Sequence, residues 1–435
     1  MRSSALLLLM VAGMPVMLDA QTSPDPMRSV AERYVKLVLA VGQHDADYVD
    51  AFYGPADWRT AAEAEKLPLA AIDQQAEVLE KDLAAVTAAP PNPRDAELWA
   101  LRRQYLVRQM SALRARVSML QGKRMTFDEE SRALYDTVAP TLPETEFEKV
   151  LTQLEARLPG AGPLIERYDR FKQAFVIPAA RVDRVFREAI RACRDRTLAH
   201  VELPAQERFT VEYVTGKSWS GYNWYQGDYQ SLIQVNTDLP IYIDRALDLA
   251  CHEGYPGHHV YNVLLEKHLV RDRGWIEYTV YPLFSPQSLI AEGTANFGIE
   301  VAFSPADRMT FERDVLFPLA GLDTRRVQEY YDVLALVDRL SYAGNEAARR
   351  YLDGTIDRAG AVAWLEKYAM YTTPRAEQRV KFIDQYRSYV INYNLGKDLI
   401  RAYITRKAGR QAAASRRWAE FAALLSSPRL PSGLK

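Results

Sequence analysis

The sequence is poor in cysteine and has no excess of basic residues. Its 435 residues include two cysteines, Cys193 and Cys251, which excludes a scaffold held together by several disulfides. The formal net charge is −1, so no large positive excess is present to neutralise the phosphates of a nucleic acid. We therefore expect a globular protein without a nucleic-acid partner.

Long apolar runs are scarce after the N-terminus. Residues 5–18 form one apolar run behind Arg2, and small or aliphatic residues precede a plausible cleavage site after Ala20. This pattern is typical of a secretory signal peptide over residues 1–20, and no cysteine lies near the cut to carry a lipid. No later run approaches about 18 apolar residues. We therefore expect an exported, periplasmic protein with no membrane span after the signal is removed.

Helical periodicity dominates most of the chain. Apolar residues recur at helical spacing through residues 27–200 and again after residue 243. Two short segments differ, because residues 209–214 alternate between apolar and polar side chains and residues 230–236 are a second strand candidate. The pattern predicts a mainly α fold with a small β-sheet.

The β region lies directly before the segment that contains half of the histidines, and two interpretations of it stay open. A strand edge beside a catalytic helix can hold an extended peptide by main-chain hydrogen bonds, with Asn236 as a candidate contact for the substrate backbone. The region can equally be a structural hairpin that caps the helices. In both cases we expect a helical region over residues 21–203 and a catalytic region over residues 204–435, forming one continuous domain around a cleft.

Three of the six histidines lie in the segment Cys251-His252-Glu253-Gly254-Tyr255-Pro256-Gly257-His258-His259. Imidazole nitrogens next to a carboxylate are typical zinc ligands with a general base beside them. The common motif places two histidines four residues apart on one helical face, but this segment has a proline in that position. In a regular helix His258 would lie about 240° around the axis from His252, and His259 about 10.5 Å along it. Neither arrangement suits a tetrahedral site.

The Pro-Gly pair at residues 256–257 offers a way to bring the histidines together. Proline removes a helical hydrogen bond and glycine permits unusual backbone angles, so we predict that the helix bulges at this pair. His252 and His258 are then the predicted ligands of Zn²⁺. Glu253 is the predicted general base, and His259 either supports a ligand or is the alternate ligand.

Cys251 is the one thiol next to the predicted site. On a helix its side chain points about 100° away from that of His252, so we expect it to pack as a small residue in a buried helix rather than to bind metal. Pairing with Cys193 is the other option that an exported protein leaves open.

These residues, followed by Glu292-Gly293-Thr294-Ala295, resemble the motifs of the bacterial family catalogued as domain of unknown function 885. The resemblance covers most of the chain beyond the signal peptide and is strongest over residues 219–396. That family is grouped with zincin metallopeptidases whose third ligand is a glutamate, which implies a large helical zincin-like fold, peptidase activity and Glu292 as the third zinc ligand. Thr294 stands where relatives have tryptophan, which changes the packing near Glu292. The family's late Tyr-x-x-Gly element begins at Tyr393, a candidate hydrogen-bond donor to the oxyanion.

Three further residues are candidates for supporting the site or contacting the substrate. Glu300 lies near the side of Glu292 on the same predicted helix and is a candidate for orienting a ligand histidine. Arg387 is a candidate partner for a substrate carboxylate, and Tyr389 is a second candidate substrate contact. The plainer alternatives are a salt bridge for the arginine and core packing for a tyrosine stripe.

Together these features predict a zinc-dependent metallohydrolase that cleaves short peptides with metal-activated water and Glu253 as general base. The preference for short peptides rests on analogy with helical zincin peptidases, whose clefts are deep. One alternative is a zinc hydrolase that acts on a non-peptide amide. Another is a non-catalytic periplasmic binding protein with a degenerate metal site, but such a site needs no carboxylate next to a ligand.

Overall fold

The computed structural model describes residues 25–87, 90 and 95–435 of the chain. The predicted signal peptide over residues 1–20 lies outside the described residues. Helices dominate the described part, so the predicted mainly α fold is confirmed. None of the described helices combines the length and the apolar character that a membrane crossing requires.

The N-terminal part consists of helices joined by short connections. They are α1 (Arg28–Val41), α2 (Ala56–Glu65), α3 (Leu69–Ala85), α4 (Ala96–Leu120), α5 (Phe127–Tyr135), α6 (Glu144–Arg157), α7 (Leu164–Gln173) and α8 (Val182–Leu198). The start of α5 illustrates how side chains define where a helix begins. The Thr126 hydroxyl accepts a hydrogen bond from the backbone N–H of Glu129, and the Glu129 carboxylate accepts one from the backbone N–H of Thr126. This capping box satisfies two N–H groups at the helix start.

Two small sheets interrupt the helices. The strands are β1 (Val49–Phe52), β2 (Arg208–Val214), β3 (Gly221–Gly227), β4 (Gln230–Asn236) and β5 (Val280–Pro282). β1 pairs with β5 in antiparallel fashion, and the second sheet has the order β2-β4-β3, with β2 parallel and β3 antiparallel to β4. The two predicted strands correspond to β2 and β4. The sequence pattern misses β1 and β5 because they are too short to show a period, and β3 because its aromatic and polar residues are typical of a loop.

The C-terminal part carries the longer set of helices. They are α9 (Ile243–Leu249), α10 (His258–Leu265), α11 (Pro286–Ala302), α12 (Pro305–Phe311), α13 (Phe317–Ala320), α14 (Val327–Asp338), α15 (Ala343–Leu352), α16 (Arg358–Ala369), α17 (Thr373–Tyr386), α18 (Ile391–Ala408) and α19 (Ala414–Leu425). Wider π-helical turns continue α9, α10 and α12 over Ala250–Gly254, Glu266–Arg271 and Glu312–Leu316. No change in the helical pattern of the sequence marks the end of α17 at Tyr386, where Arg387 adopts a φ of 52°.

One large cluster of buried apolar residues runs from α1 to α19. The predicted division at residues 203 and 204 stays a prediction, but the core continues across it. A disulfide between Cys193 and Cys251 adds a covalent link between α8 and the π-helical turn after α9. Cys251 is buried, as expected, but it is paired with Cys193 rather than present as a free thiol. The bond closes a loop of 58 residues and so restricts the unfolded chain.

Candidate metal centre

The side chains of His252, His258 and Glu292 converge on one point, and we call these three residues the metal cluster. The Nε2 atoms of the two histidines lie 3.1 Å apart. Oε2 of Glu292 lies 3.3 Å from Nε2 of His252 and 3.7 Å from Nε2 of His258. In a tetrahedral zinc site with bonds of about 2.0–2.1 Å, donor atoms are separated by about 3.3–3.4 Å. The three donor atoms therefore have the spacing that tetrahedral coordination requires.

The break between α9 and α10 brings the two histidines together. The predicted bulge is instead an interruption, in which the chain leaves the π-helical turn at Gly254, passes through a cis Tyr255–Pro256 peptide and begins α10 at His258. The backbone N–H of Gly257 donates to the carbonyl of Cys251 at 3.0 Å.

Gly257 is required by this close approach. A Cβ atom at position 257 would lie 1.8 Å from the carbonyl oxygen of His252, which is far inside van der Waals contact. Only glycine can therefore follow this path without displacing the turn that carries the first histidine. The Pro-Gly pair is part of the site, as the sequence predicts, but it ends one helix instead of distorting a continuous one.

Glu292 reaches the histidines because α11 and α18 pack with their backbones in contact. A Cβ atom at Gly293 would lie 2.6 Å from the carbonyl carbon of Gly396, so two glycines allow this approach. The packing places Tyr389, in the short 3-10 turn before α18, and Tyr393, in the first turn of α18, next to the glutamate of α11. The Glu-Gly and Tyr-x-x-Gly elements of the sequence thus meet at one helix crossing.

The two oxygens of Glu292 have different surroundings. Oε1 accepts a hydrogen bond of 2.8 Å from the hydroxyl of Tyr389. Oε2 is buried, faces the two imidazoles and accepts no hydrogen bond from any described residue. A buried carboxylate oxygen without a hydrogen bond lowers the stability of the folded protein. Its position next to two other donor atoms is the position expected of a metal ligand.

Electrostatic attraction between the glutamate and the two histidines stabilises the metal cluster even without a metal ion. Burial opposes ionisation of Glu292, but the two imidazoles outweigh it and hold the pKa of this carboxyl well below its usual range. Burial also opposes protonation of His258, but Glu292 outweighs that effect and raises the pKa of the imidazole to about 9. A divalent cation would replace the proton as the positive charge that Glu292 faces.

Glu253 lies beside the metal cluster and lines the same cavity. It belongs to the π-helical turn that follows α9, and 4% of its surface is exposed to solvent. The amide of Asn223 on β3 donates to its backbone carbonyl at 2.8 Å, which ties the turn to the sheet. Burial raises the pKa of Glu253, so this carboxylate is a stronger base than an exposed one.

His259 belongs to a separate group, the Glu207 cluster, which comprises Glu207, His259, Tyr255 and Arg194. Nδ1 of His259 lies 2.9 Å from the hydroxyl of Ser231, and Nε2 lies 3.0 Å from Oε2 of Glu207. Tyr255 and Arg194 also donate to Glu207. Both ring nitrogens of the fully buried His259 are occupied, so the expectation that it is an alternate ligand, or supports one directly, is wrong.

Two more predicted roles are contradicted by the contacts of the charged groups. Glu300 lines the cavity but forms a bidentate ion pair with Arg401, whose Nε lies 3.0 Å from Oε2, and it does not orient a ligand histidine. Arg387 donates to the buried carboxylate of Glu130 at 2.7 Å. The guanidinium that was predicted to bind a substrate carboxylate is therefore already paired with a carboxylate of the protein.

Asn236 does not lie on a free strand edge. It ends β4, which is the central strand of its sheet. Its amide nitrogen donates to the carbonyls of Lys217 and Trp219 at 3.0 and 2.9 Å, and its amide oxygen accepts from the N–H of Asp238. The side chain thus holds the loop before β3, and the expected contact with a substrate backbone is not available to it.

The two tyrosines of α18 and its preceding turn differ in their contacts. Tyr389 lines the cavity, but its hydroxyl is committed to Glu292, so it holds a predicted ligand rather than a substrate. Tyr393 also lines the cavity, with its ring centroid 5.8 Å from that of Tyr389. Burial and the nearby charge of Glu292 raise the pKa of Tyr393, which keeps its hydroxyl protonated. Its role as a donor to an oxyanion stays a prediction.

Asp50 on β1 is a cavity residue that the sequence pattern misses. The hydroxyl of Tyr222 donates to its carboxylate. Burial raises the pKa of Asp50 to about 7, with His258 opposing the shift and Glu292 and Glu253 adding to it. No signal in the sequence singles out this aspartate, because the strand that directs it into the cavity has four residues.

The cavity in front of the metal cluster has a volume of about 500 Å³. Its walls are formed by the start of β3, by α9 and its π-helical turn, and by α11, α17 and α18. Volumes of this size are typical of sites for small molecules and short peptides.

Comparisons with known proteins give distant similarities in structure. No family model and no curated protein matches the chain. A candidate lipoprotein from Colwellia psychrerythraea is 14% identical, with 86% of this chain and 71% of that chain covered and a TM-score of 0.49. A candidate lipoprotein of unknown function from Shewanella oneidensis is 13% identical, with coverages of 96% and 79% and a TM-score of 0.42.

An M32 carboxypeptidase from Deinococcus radiodurans R1 is also similar in structure. It is 15% identical, with 90% of this chain and 88% of that chain covered and a TM-score of 0.38. Similarities at this distance assign no function to the chain. The resemblance to the family of domain of unknown function 885 therefore stays a prediction.

Proposed function

We propose that this protein is a zinc-dependent hydrolase that cleaves short peptides. The observation that carries the proposal is the metal cluster itself, in which three donor atoms lie 3.1, 3.3 and 3.7 Å apart and one of them is a buried carboxylate oxygen without a hydrogen bond in the described residues. Three protein ligands that leave a fourth position open are typical of catalytic rather than structural zinc.

The proposed reaction assigns each neighbouring residue a task. The chemistry that zinc supplies in such a site is Lewis acidity, which lowers the pKa of water and polarises the scissile carbonyl. Glu253 accepts the proton of the attacking water and later delivers it to the leaving amine. Tyr393 donates a hydrogen bond to the oxygen that develops negative charge. Tyr389 keeps Glu292 in position through its hydroxyl.

A peptide substrate is favoured over a non-peptide amide by the position of β3. This strand is at the edge of its sheet, and residues 221–223 line the cavity. An edge strand offers main-chain donors and acceptors to an extended peptide. The predicted use of a strand edge thus moves from β4 to β3, next to the turn that carries Glu253.

An exported location is supported by the disulfide between Cys193 and Cys251. Structural disulfides persist in oxidising compartments such as the periplasm. This agrees with the signal-peptide pattern of the N-terminal residues, and we propose that the protein acts in the periplasm.

The test is zinc analysis combined with hydrolysis of a panel of short peptides and non-peptide amides. We expect one zinc ion per chain, hydrolysis that a chelator abolishes and zinc restores, and a loss of about 10²–10⁴-fold in rate for Glu253→Gln with zinc retained. Glu300→Gln is the matched control, because the same substitution in the cavity wall leaves the metal cluster and Glu253 intact. Stoichiometric zinc without hydrolysis of any substrate in the panel would instead identify a binding protein.

A further inference from the structure

Three arginines line one part of the cavity. Arg375 and Arg379 are four residues apart on α17 and therefore share one face of this helix, and Arg245 projects from α9. Arg245 precedes His252 by seven residues, which places it about 10 Å from that histidine along the helix. The guanidinium of Arg379 lies 5.7 Å from the ring centroid of Tyr393. The group therefore faces the metal cluster across a distance that a short peptide can span.

The charges of Arg375 and Arg379 are poorly compensated. In the part of the chain that the structure describes, no carboxylate forms an ion pair with Arg375 or Arg379. Arg375 donates to the amide oxygen of Gln378 at 3.1 Å, and Nε of Arg379 is buried without any hydrogen-bond partner in the described residues. Burial lowers the pKa of Arg375, and the nearby Arg245 adds to this effect.

Three acidic groups of the cavity wall are paired with cations other than Arg375 and Arg379. Asp248 is shared, because it lies 3.2 Å from Arg245 and 2.8 Å from Arg308. Asp338 pairs with Lys397 at 3.3 Å. Glu300 pairs with Arg401, as described above. Each of these three carboxylates thus has a cationic partner other than Arg375 and Arg379.

Unpaired guanidinium groups in a partly buried cavity are unfavourable unless an anion joins them. The planar fork of arginine matches a carboxylate in a bidentate way, which gives charge-assisted hydrogen bonds with defined geometry. A short peptide can supply such a carboxylate at its C-terminus or on an acidic side chain.

We propose that Arg375 and Arg379, with Arg245 beside them, bind a carboxylate of the peptide while the scissile bond lies at the metal cluster. The proposal rests on the proposed function and names its substrate class, which is short peptides with a carboxylate near the cleaved bond. The sequence predicts that Arg387 binds a substrate carboxylate, and we instead assign this role to the two arginines of α17.

The test measures binding separately from hydrolysis. Three peptides are titrated calorimetrically into zinc-loaded Glu253→Gln protein, which binds but does not turn over: Gly-Phe-Ala with a free C-terminus, its C-terminal amide, and amidated Gly-Phe-Glu. If the C-terminal carboxylate is bound, the first peptide binds about 10- to 100-fold more tightly than the second. If an acidic side chain is bound, the third peptide has that advantage over the second.

The matched variants are Arg375→Gln, Arg379→Gln and Lys381→Gln, made in the same background. The two arginine variants are expected to remove the advantage of the carboxylate peptide and to leave the affinity for the amide of Gly-Phe-Ala unchanged. Lys381→Gln makes the same charge change on the exposed side of α17 and is expected to have no effect. Circular dichroism confirms that each variant is folded.

The outcomes separate this proposal from the proposed function. Equal affinity for all three peptides, including no measurable binding of any, overturns the carboxylate site. The same conclusion follows if the arginine variants weaken binding of every peptide alike. Selective binding of a carboxylate peptide that the zinc-loaded wild-type protein does not cleave would leave the carboxylate site standing and reject the peptidase activity.

Discussion

The metal cluster and the Glu207 cluster each join a histidine of α10 to a buried glutamate, and consecutive histidines of this helix belong to different clusters. In the metal cluster, His258 and His252 direct Nε2 atoms at a buried carboxylate oxygen that lacks a hydrogen bond. In the Glu207 cluster, both nitrogens of His259 and both oxygens of Glu207 have partners. Hydrogen-bond satisfaction, rather than residue type, therefore separates a site for a ligand from a structural contact.

The two clusters also differ in how the charge of their glutamate is balanced. Burial lowers the pKa of His259, which is therefore neutral near pH 7. Burial opposes ionisation of Glu207, but hydrogen bonds from His259, Tyr255 and Arg194 outweigh it and lower the pKa of this carboxyl to about 2. The Glu207 cluster thus holds its charge with groups of the protein, whereas the metal cluster leaves a negative oxygen for a cation.

The largest difference between the two clusters is expected when each of the neighbouring histidines is removed in turn. We expect His258→Ala to lose stoichiometric zinc and all measurable peptide hydrolysis, because one of three ligands is missing. His259→Ala is expected to retain zinc and to lose about 2–3 kcal/mol of stability, since it leaves a cavity and unpaired polar groups. Metal analysis and chemical denaturation measure the two effects. Zinc loss in His259→Ala with the fold intact would reverse the assignment of the two clusters.

A smaller effect is expected when the support of a ligand is removed. Tyr389→Phe deletes the hydrogen bond to Oε1 of Glu292 and is expected to weaken zinc binding about 10- to 100-fold. Tyr393→Phe is the matched control in the same aromatic group, and its zinc affinity is expected to equal that of the wild type. Competition with a chromogenic chelator measures both affinities. Equal zinc affinities of Tyr389→Phe and the wild type would show that this hydroxyl does not support the ligand.

The smallest effect is expected in the Glu207 cluster. Glu207→Gln keeps the shape of the side chain but removes its charge, so we expect a loss of about 1–2 kcal/mol in the free energy of unfolding near pH 7. Zinc content and hydrolysis are expected to stay unchanged. A loss of zinc by this variant would indicate that the Glu207 cluster supports the metal cluster after all.

The pH dependence of stability provides an independent measure of the same charge. The pKa of Glu207 is about 2 in the folded protein and 4.5 as a reference value, so the folded state binds fewer protons between these limits. Its contribution is therefore complete above pH 4.5 and is lost as the pH falls towards 2. Over this interval we expect the difference in unfolding free energy between wild type and Glu207→Gln to shrink, as measured by denaturation at each pH.

Much of the fold follows from local patterns in the sequence. Helical periodicity predicts the mainly α class, and alternation predicts β2 and β4. The short strands β1 and β5 are not predictable in this way, because pairing between distant segments stabilises them. The break between α17 and α18 is likewise missed, since an apolar pattern continues through a residue with positive φ, Arg387.

The chemistry available to this protein is predictable from its sequence. A His-Glu pair, a Pro-Gly pair, further histidines and a Glu-Gly element point to His252, His258, Glu292 and Glu253, because these donor types and a helix-breaking pair stand out along the chain. Which polar groups already have partners depends on how distant segments pack. His259 pairs with Glu207, Arg387 with Glu130, and Asn236 with a loop, whereas Oε2 of Glu292 and Nε of Arg379 have no hydrogen bond in the described residues. Partners from distant segments form only when the chain folds, so no local pattern could predict them.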